Sequence, residues 1–221
     1  MNAFRSLVPV LLVVLLAGCA TAPRPQETAA LAVLASGADV HEKARACQEL
    51  GHYGGPASVP ALAALLNHET LADYARSGLE GIHASSAGAA LRNALGSLNG
   101  RPLAGVVNSL GVRREVAAVP ELQKLALDSK RGVATEALAA LGMIGNAEAA
   151  KTLQQVVTGG PADLRVPAAH AALVAAAQLA NDGNAGAARG LLDQVVRAKP
   201  SGVLVAAAQS QAAALGGPAK K

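Results

Sequence analysis

The chain has 221 residues, 52% of them hydrophobic, but only one phenylalanine, two tyrosines and no tryptophan. A core without bulky aromatic side chains must consist of many thin layers of Ala, Leu and Val, which excludes one deep globular interior. The net charge of +4 is small for this length, so no dense basic face is expected to follow a phosphate backbone, and nucleic acid is not an expected partner. Two cysteines exclude a disulfide framework.

The first segment of the chain has the layout of an export signal. An apolar run from Leu7 to Leu16 follows a positively charged start and ends in small residues. A membrane-spanning helix needs about 20 residues, so this run is too short to form one. The stretch Leu16-Ala17-Gly18-Cys19 resembles the lipobox of bacterial lipoprotein precursors. The resemblance implies cleavage after Gly18 and acylation of Cys19. Ala20 stands where an inner-membrane retention signal would usually place Asp, which in a Gram-negative cell favours the outer membrane. An ordinary signal peptide or a buried core segment is the alternative.

These features predict four segments. Residues 1–18 are a signal peptide that is removed, residues 19–37 are the lipidated cysteine and a tether, residues 38–217 are the folded domain, and residues 218–221 are a disordered tail. Pro23 and Pro25 favour an extended tether. Each buried methylene adds about 0.8 kcal/mol of membrane affinity, so two or three acyl chains would anchor the protein firmly.

A period of about 30 to 38 residues runs through the predicted domain. The step Leu-Gly, or a close variant, begins at positions 50, 80, 110, 141, 179 and 215. After every step except the last, a leucine returns at one of the positions 62, 91, 122, 153 and 191. Such a period is typical of a stack of repeated structural units.

Each unit is predicted to contain two helices joined by a tight turn. Two trios of apolar residues at three-residue spacing mark the core faces of the first pair: Ala44, Cys47 and Leu50, then Val59, Leu62 and Leu65. The repeated glycine is expected to end the first helix in a left-handed conformation. Prolines mark the start of second helices, at Pro56, Pro60 and Pro120. Cys47 is expected to be a small buried hydrophobe rather than a reactive thiol.

The unit length, the two-helix pattern and the V-P-x-L start of second helices resemble short HEAT-like repeats of bacterial proteins, including the phycobilin-lyase type. The segments LADYARSGLEGI and GRPLAGVVNSLGVRR resemble parts of bacterial HEAT-repeat proteins. The resemblance implies an all-α, right-handed α-solenoid of about five and a half repeats. An insertion around GGPADLRVP makes the last two units less regular.

No pattern in the chain indicates a catalytic or metal centre. His52 and His83 follow equivalent glycines and could lie near each other, but two histidines without a third ligand make an incomplete zinc shell. None of the serines lies in the G-x-S-x-G motif of a nucleophile elbow. Glu115 and Glu121 are six residues apart at a predicted turn, and no apolar pocket is predicted there that would raise the pKa of either carboxylate. We therefore predict no enzyme, no cofactor and no metal.

Two groups of polar residues are candidates for binding. The first is a row on successive second helices, expected on the concave surface, where it would suit a peptide or an acidic protein patch: Arg92, Asn93, Gln123, Lys124, Gln154 and Gln155. The second is a cluster around the GRPLAGVVNSLGVRR segment: Arg76, Arg101, Asn108, Arg113 and Arg114. The cluster either binds a ligand or ties units together, with Arg76 and Arg101 bonding to helix-end carbonyls.

The sequence as a whole predicts a monomeric, lipid-anchored scaffold or adaptor that faces the periplasm and binds a protein partner. The first alternative is a maturation factor or lyase for a cofactor or pigment, such as haem or another tetrapyrrole. Holding a tetrapyrrole calls for aromatic walls, and Tyr53 and Tyr74 are the only aromatic residues after the predicted signal peptide, so the resemblance carries over the fold and not that activity. A structural envelope lipoprotein is the second alternative.

Overall fold

The computed structural model describes residues 23–216, which contain twelve α-helices and three short 3-10 turns. The helices are α1 (Pro25–Ala35), α2 (Val40–Tyr53), α3 (Val59–Ala63), α4 (Ala72–Gly81), α5 (Ser85–Ala94), α6 (Gly100–Val112), α7 (Val119–Leu127), α8 (Ala134–Ile144), α9 (Ala147–Gly159), α10 (Ala162–Asn181), α11 (Ala185–Ala198) and α12 (Gly202–Ala214). The turns precede α3, α7 and α8, at Pro56–Ser58, Val116–Ala118 and Ser129–Arg131.

The helices stack in two layers. Even-numbered helices from α2 to α12 each pack against the next even-numbered helix, and odd-numbered helices such as α7, α9 and α11 pack beside one another in a second layer. Each even-numbered helix and the odd-numbered helix after it form one unit, so units one to five run from α2–α3 to α10–α11. Helix α12 begins a sixth unit. The predicted α-solenoid of about five and a half repeats is confirmed.

The core is a series of thin aliphatic layers between the two helix layers. The leucines predicted to recur on the second helices, from Leu62 to Leu191, are at most 3% exposed. Cys47 is fully buried among aliphatic residues, as predicted. Pro60 and Pro120 lie in the first turns of α3 and α7, where a missing N–H costs little, so this prediction is also confirmed.

The prediction that residues 19–37 form an extended tether is wrong for residues 25–35. They form α1, which packs against α2. Pro25 stands at the first helical position, where its fixed φ favours helix formation, and the following Ala and Leu residues are good helix formers. Ala30 is buried against the first unit. Cys19, the predicted cleavage site and the predicted tail lie outside the described residues.

The prediction that the repeated glycines adopt a left-handed cap is also wrong. Gly51, Gly111 and Gly142 lie inside the last turns of α2, α6 and α8, and Gly81 is the last residue of α4. They allow neighbouring even-numbered helices to approach closely: a Cβ on Gly142 would lie 2.7 Å from the carbonyl oxygen of Ala171 in α10. The glycine therefore recurs because helices of adjacent units touch there.

The insertion in unit five lengthens a helix. Helix α10 has 20 residues and contains Pro167 in its second turn, so most of the extra sequence forms helix rather than loop. Within residues 23–216, no helix has both the length and the hydropathy to cross a membrane.

Candidate interaction surfaces

Arg113 and Arg114 bond to units on opposite sides of their own unit. The Arg113 guanidinium donates to the carbonyl oxygens of Leu79 (2.7 Å) and Ile82 (2.6 Å) at the end of α4 in unit two. The Arg114 guanidinium donates to the carbonyl oxygen of Ile144 at the end of α8, at 3.2 Å. Both arginines place positive charge where helix carbonyls lack partners, which stabilises the helix ends.

Arg76 and Arg101 bond to side chains rather than to helix-end carbonyls. Arg76 donates to the carboxylate of Glu80 at 2.7 Å and to the hydroxyl of Ser109 at 3.1 Å, so it links α4 with α6. The Ser109 hydroxyl donates to the same Glu80 oxygen at 2.6 Å. Arg101 forms an ion pair with Asp73 and is 86% exposed. The tie between units exists, but its partners differ from those predicted.

Arg131, which lies outside the predicted cluster, also bonds to the end of a helix in another unit. Arg131, before α8, donates to the carbonyl oxygens of Leu95 (3.0 Å) and Leu98 (2.9 Å) near the end of α5, and the sequence patterns did not single it out. A basic residue about one repeat length after the end of a helix is the sequence pattern that could have predicted this contact. The Asn108 side chain is exposed and forms no hydrogen bond with any described residue.

The predicted row on the second helices splits into two kinds of residue. Gln123 donates to the hydroxyl of Thr152 at 2.7 Å, and Arg92 lies 3.9 Å from the carboxylate of Glu115. These two residues tie neighbouring units together. The others are exposed, with no side-chain hydrogen bond to any described residue: Asn93, Lys124, Gln154 and Gln155.

Gln154 borders a shallow groove between α9 and α11. The groove encloses about 350 Å³, and much of its lining consists of small residues, including Ala147, Ala150 and Gly190. Lys151 and the amide of Gln194 also border it. Small side chains let the backbone of a bound segment come close, and the amides offer both donors and acceptors.

A second groove, which sequence reasoning missed, crosses α8, α10 and α12. It encloses about 600 Å³ and its lining is largely apolar, including Met143, Val174 and Val203. Val203 is 80% exposed. The absence of charged residues from 202 to 216 is the sequence signal that could have indicated an apolar surface here.

The structure places His52 and His83 beside Gly81. His52 and Gly81 line one groove, and the Nδ1 atom of His83 lies 2.9 Å from the carbonyl oxygen of Gly81. Among residues 23–216, no group of three or more His, Cys, Asp or Glu side chains could hold a metal ion.

Comparison with known proteins supports the fold. Residues 88–174, from α5 into α10, match the family described as HEAT repeats. No curated protein matches the chain significantly. HEAT repeats generally bind other proteins, which suggests a protein partner. Because the same two-layer stack continues on both sides of the matched segment, the described chain is an all-α solenoid of HEAT-like repeats.

Proposed function

We propose that this chain is a scaffold or adaptor of the bacterial cell envelope. In this proposal, acylated Cys19 anchors it to the outer membrane, the solenoid faces the periplasm, and the monomer binds a protein partner through the odd-numbered layer. The HEAT repeats support a protein partner. The resemblance of Leu16-Ala17-Gly18-Cys19 to a lipobox supports the anchor.

One observation carries the choice of surface. Asn93, Lys124, Gln154 and Gln155 are exposed and have no side-chain hydrogen bond to any described residue, whereas four of the five members of the arginine cluster are engaged within the molecule. Free amides match the donor and acceptor of a peptide group, and a free ammonium suits a carboxylate. The exposed members of the row can therefore bind a partner without breaking contacts between units.

The surface is tested by changing the two exposed residues Lys124 and Gln155 together. The double variant carries Lys124→Glu and Gln155→Glu. Its control carries Lys130→Glu and Gln209→Glu, which change the net charge by the same amount, and all four positions are exposed. Arg92 is left unchanged, because a carboxylate there would face Glu115. Crosslinking in native membranes should capture one partner with the wild-type chain and with the control.

The double variant in the row should lose that partner, or bind it at least about fivefold more weakly, since rim charges contribute modestly to affinity. Equal capture by both double variants would contradict the proposed surface. Thermal unfolding of each variant shows whether the solenoid is intact.

The anchor is tested separately. The mass of the mature chain should show a new N-terminus at Cys19 carrying acyl chains, and the protein should sediment with outer membranes. The variant Cys19→Ser should lose the acyl mass and the membrane association. An unmodified Cys19 in the membrane-bound protein would contradict lipidation, and leave the proposed surface to be judged by crosslinking alone.

A further inference from the structure

The side chain of Arg114 bridges units that are not adjacent in the stack. Arg114 belongs to the turn of unit three, between α6 and α7, and its Nη2 atom lies 2.5 Å from the Oδ2 atom of Asp182. Its Nη1 atom lies 3.4 Å from the other carboxylate oxygen. Asp182 is the C-cap residue of α10, in unit five. In a solenoid, units contact mainly their neighbours, so a charged contact across two unit boundaries constrains the stack beyond a single interface.

The backbone of the turn directs this side chain forward. The Arg114 amide donates a hydrogen bond to the carbonyl oxygen of Gly111, and the Glu115 amide donates one to the carbonyl oxygen of Leu110. These two bonds are the Schellman pattern of a helix end. Arg114 occupies the left-handed position, with φ of 48°. At the matching position after α10 the residue is Gly183, with φ of 83°. A non-glycine residue in this conformation is strained, and the contacts of the Arg114 side chain must offset that strain.

Those contacts are partly open to water. The Arg114 guanidinium lies between the carbonyl oxygen of Ile144, at the negative end of α8, and the Asp182 carboxylate. The two side chains of the ion pair are 40% and 44% exposed. Because both side chains are this exposed, added salt weakens the attraction between them, and at 1 M salt the Debye length of about 3 Å is close to their separation.

We propose that Arg114 and Asp182 form a salt-sensitive latch, which fixes the position of unit five relative to unit three and releases it as ionic strength rises. At low salt, units three to five move as one block. At high salt, the ends of α8 and α10 open more often. The latch changes the spacing of the row without a change in fold, and it does not depend on the identity of a partner.

Hydrogen exchange of the full chain tests the latch. At low salt, Asp182→Asn should raise the exchange rates of amides at the ends of α8 and α10 by about twofold to fivefold, the range expected when an exposed ion pair is lost. The wild type should reach the same rates in 1 M salt, and Asp182→Asn should show little further salt dependence. The control Asp193→Asn removes one exposed carboxylate from α11 of the same unit and should match the wild type.

A second variant keeps the test independent of backbone strain. Arg114→Gly removes the guanidinium and relaxes the left-handed turn, so the turn should still form while the ends of α8 and α10 exchange faster. Small-angle scattering at low and high salt should show a salt-dependent maximum dimension for the wild type only. Equal exchange in Asp182→Asn and Asp193→Asn, or the same salt dependence in the wild type and Asp182→Asn, would overturn the latch.

Discussion

The carboxylate of Glu27 accepts a hydrogen bond of 2.7 Å from the hydroxyl of Ser58, which lies 31 residues further along the chain. A second hydrogen bond, of 2.8 Å, comes from the Gly55 amide. Glu27 is 4% exposed, so its charge is held in a nearly closed site between α1 and the turn before α3. Burial opposes ionisation, but the hydrogen bonds outweigh it and lower the pKa of Glu27.

We expect Glu27→Ala to lower the free energy of unfolding at neutral pH by about 1.5–3 kcal/mol, the range for hydrogen bonds to charged groups. Because the pKa of Glu27 is lower in the folded state, its stabilisation is present above the unfolded pKa and is lost as pH falls through the folded pKa. Denaturant unfolding at neutral and acidic pH measures both effects.

In this series the difference between the wild type and Glu27→Ala should shrink at acidic pH. The control Glu136→Gln removes an exposed carboxylate and should change stability little. A difference that stays constant down to low pH would show that the charge of Glu27 is not the stabilising feature.

Two glycines should respond to alanine in opposite directions. A Cβ on Gly81 would collide with the backbone of Gly51 in the preceding unit, whereas a Cβ on Gly190 would meet nothing within 4 Å. Gly81→Ala should destabilise by roughly 1–3 kcal/mol through overpacking. Gly190→Ala should stabilise by up to about 1 kcal/mol, since alanine is the better helix former. Thermal unfolding of the two variants checks the sign, and equal shifts would argue against close helix contact at Gly81.

Removing the Arg113 side chain should weaken the contact between units two and three. Arg113→Ala leaves the carbonyls at the end of α4 without their charged donor, so we expect a loss of about 1.5–3 kcal/mol. Arg101→Ala removes an exposed ion pair and should cost less than about 1 kcal/mol. Denaturant unfolding ranks the two variants. A larger effect for Arg101→Ala would contradict the structural role assigned to Arg113.

The Cys47 thiol should be inert in the folded protein. Burial raises the pKa of Cys47 to about 11, so at pH 8 the thiolate is scarce as well as inaccessible. Peptide mass spectrometry after treatment with a thiol reagent should show no label on Cys47 until denaturant is added. The control Ser97→Cys places a thiol at an exposed position and should be labelled at once. Labelling of Cys47 at the same rate would show that the first unit opens.

Local patterns predicted most of the helical architecture. The recurring leucines, the burial of Cys47 and the prolines near second-helix starts depend on which face a residue occupies or on the first turn of a helix. Both are properties of a short stretch of chain. The row on the second helices was predicted from helix position, and its members Asn93, Lys124, Gln154 and Gln155 are exposed without a side-chain hydrogen bond to any described residue.

The tertiary structure alone decided what lies opposite each of these residues. Whether a glycine ends a helix or permits close packing depends on the neighbouring unit about 30 residues away, as Gly142 and Ala171 show. The docking of α1 depends on a buried partner for Glu27, and the direction of Arg114 depends on a helix end two units further on. The sequence by itself therefore determined the repeated unit and its core face. The contacts between units came from the stack, because a local period carries no information about which side chains meet across an interface.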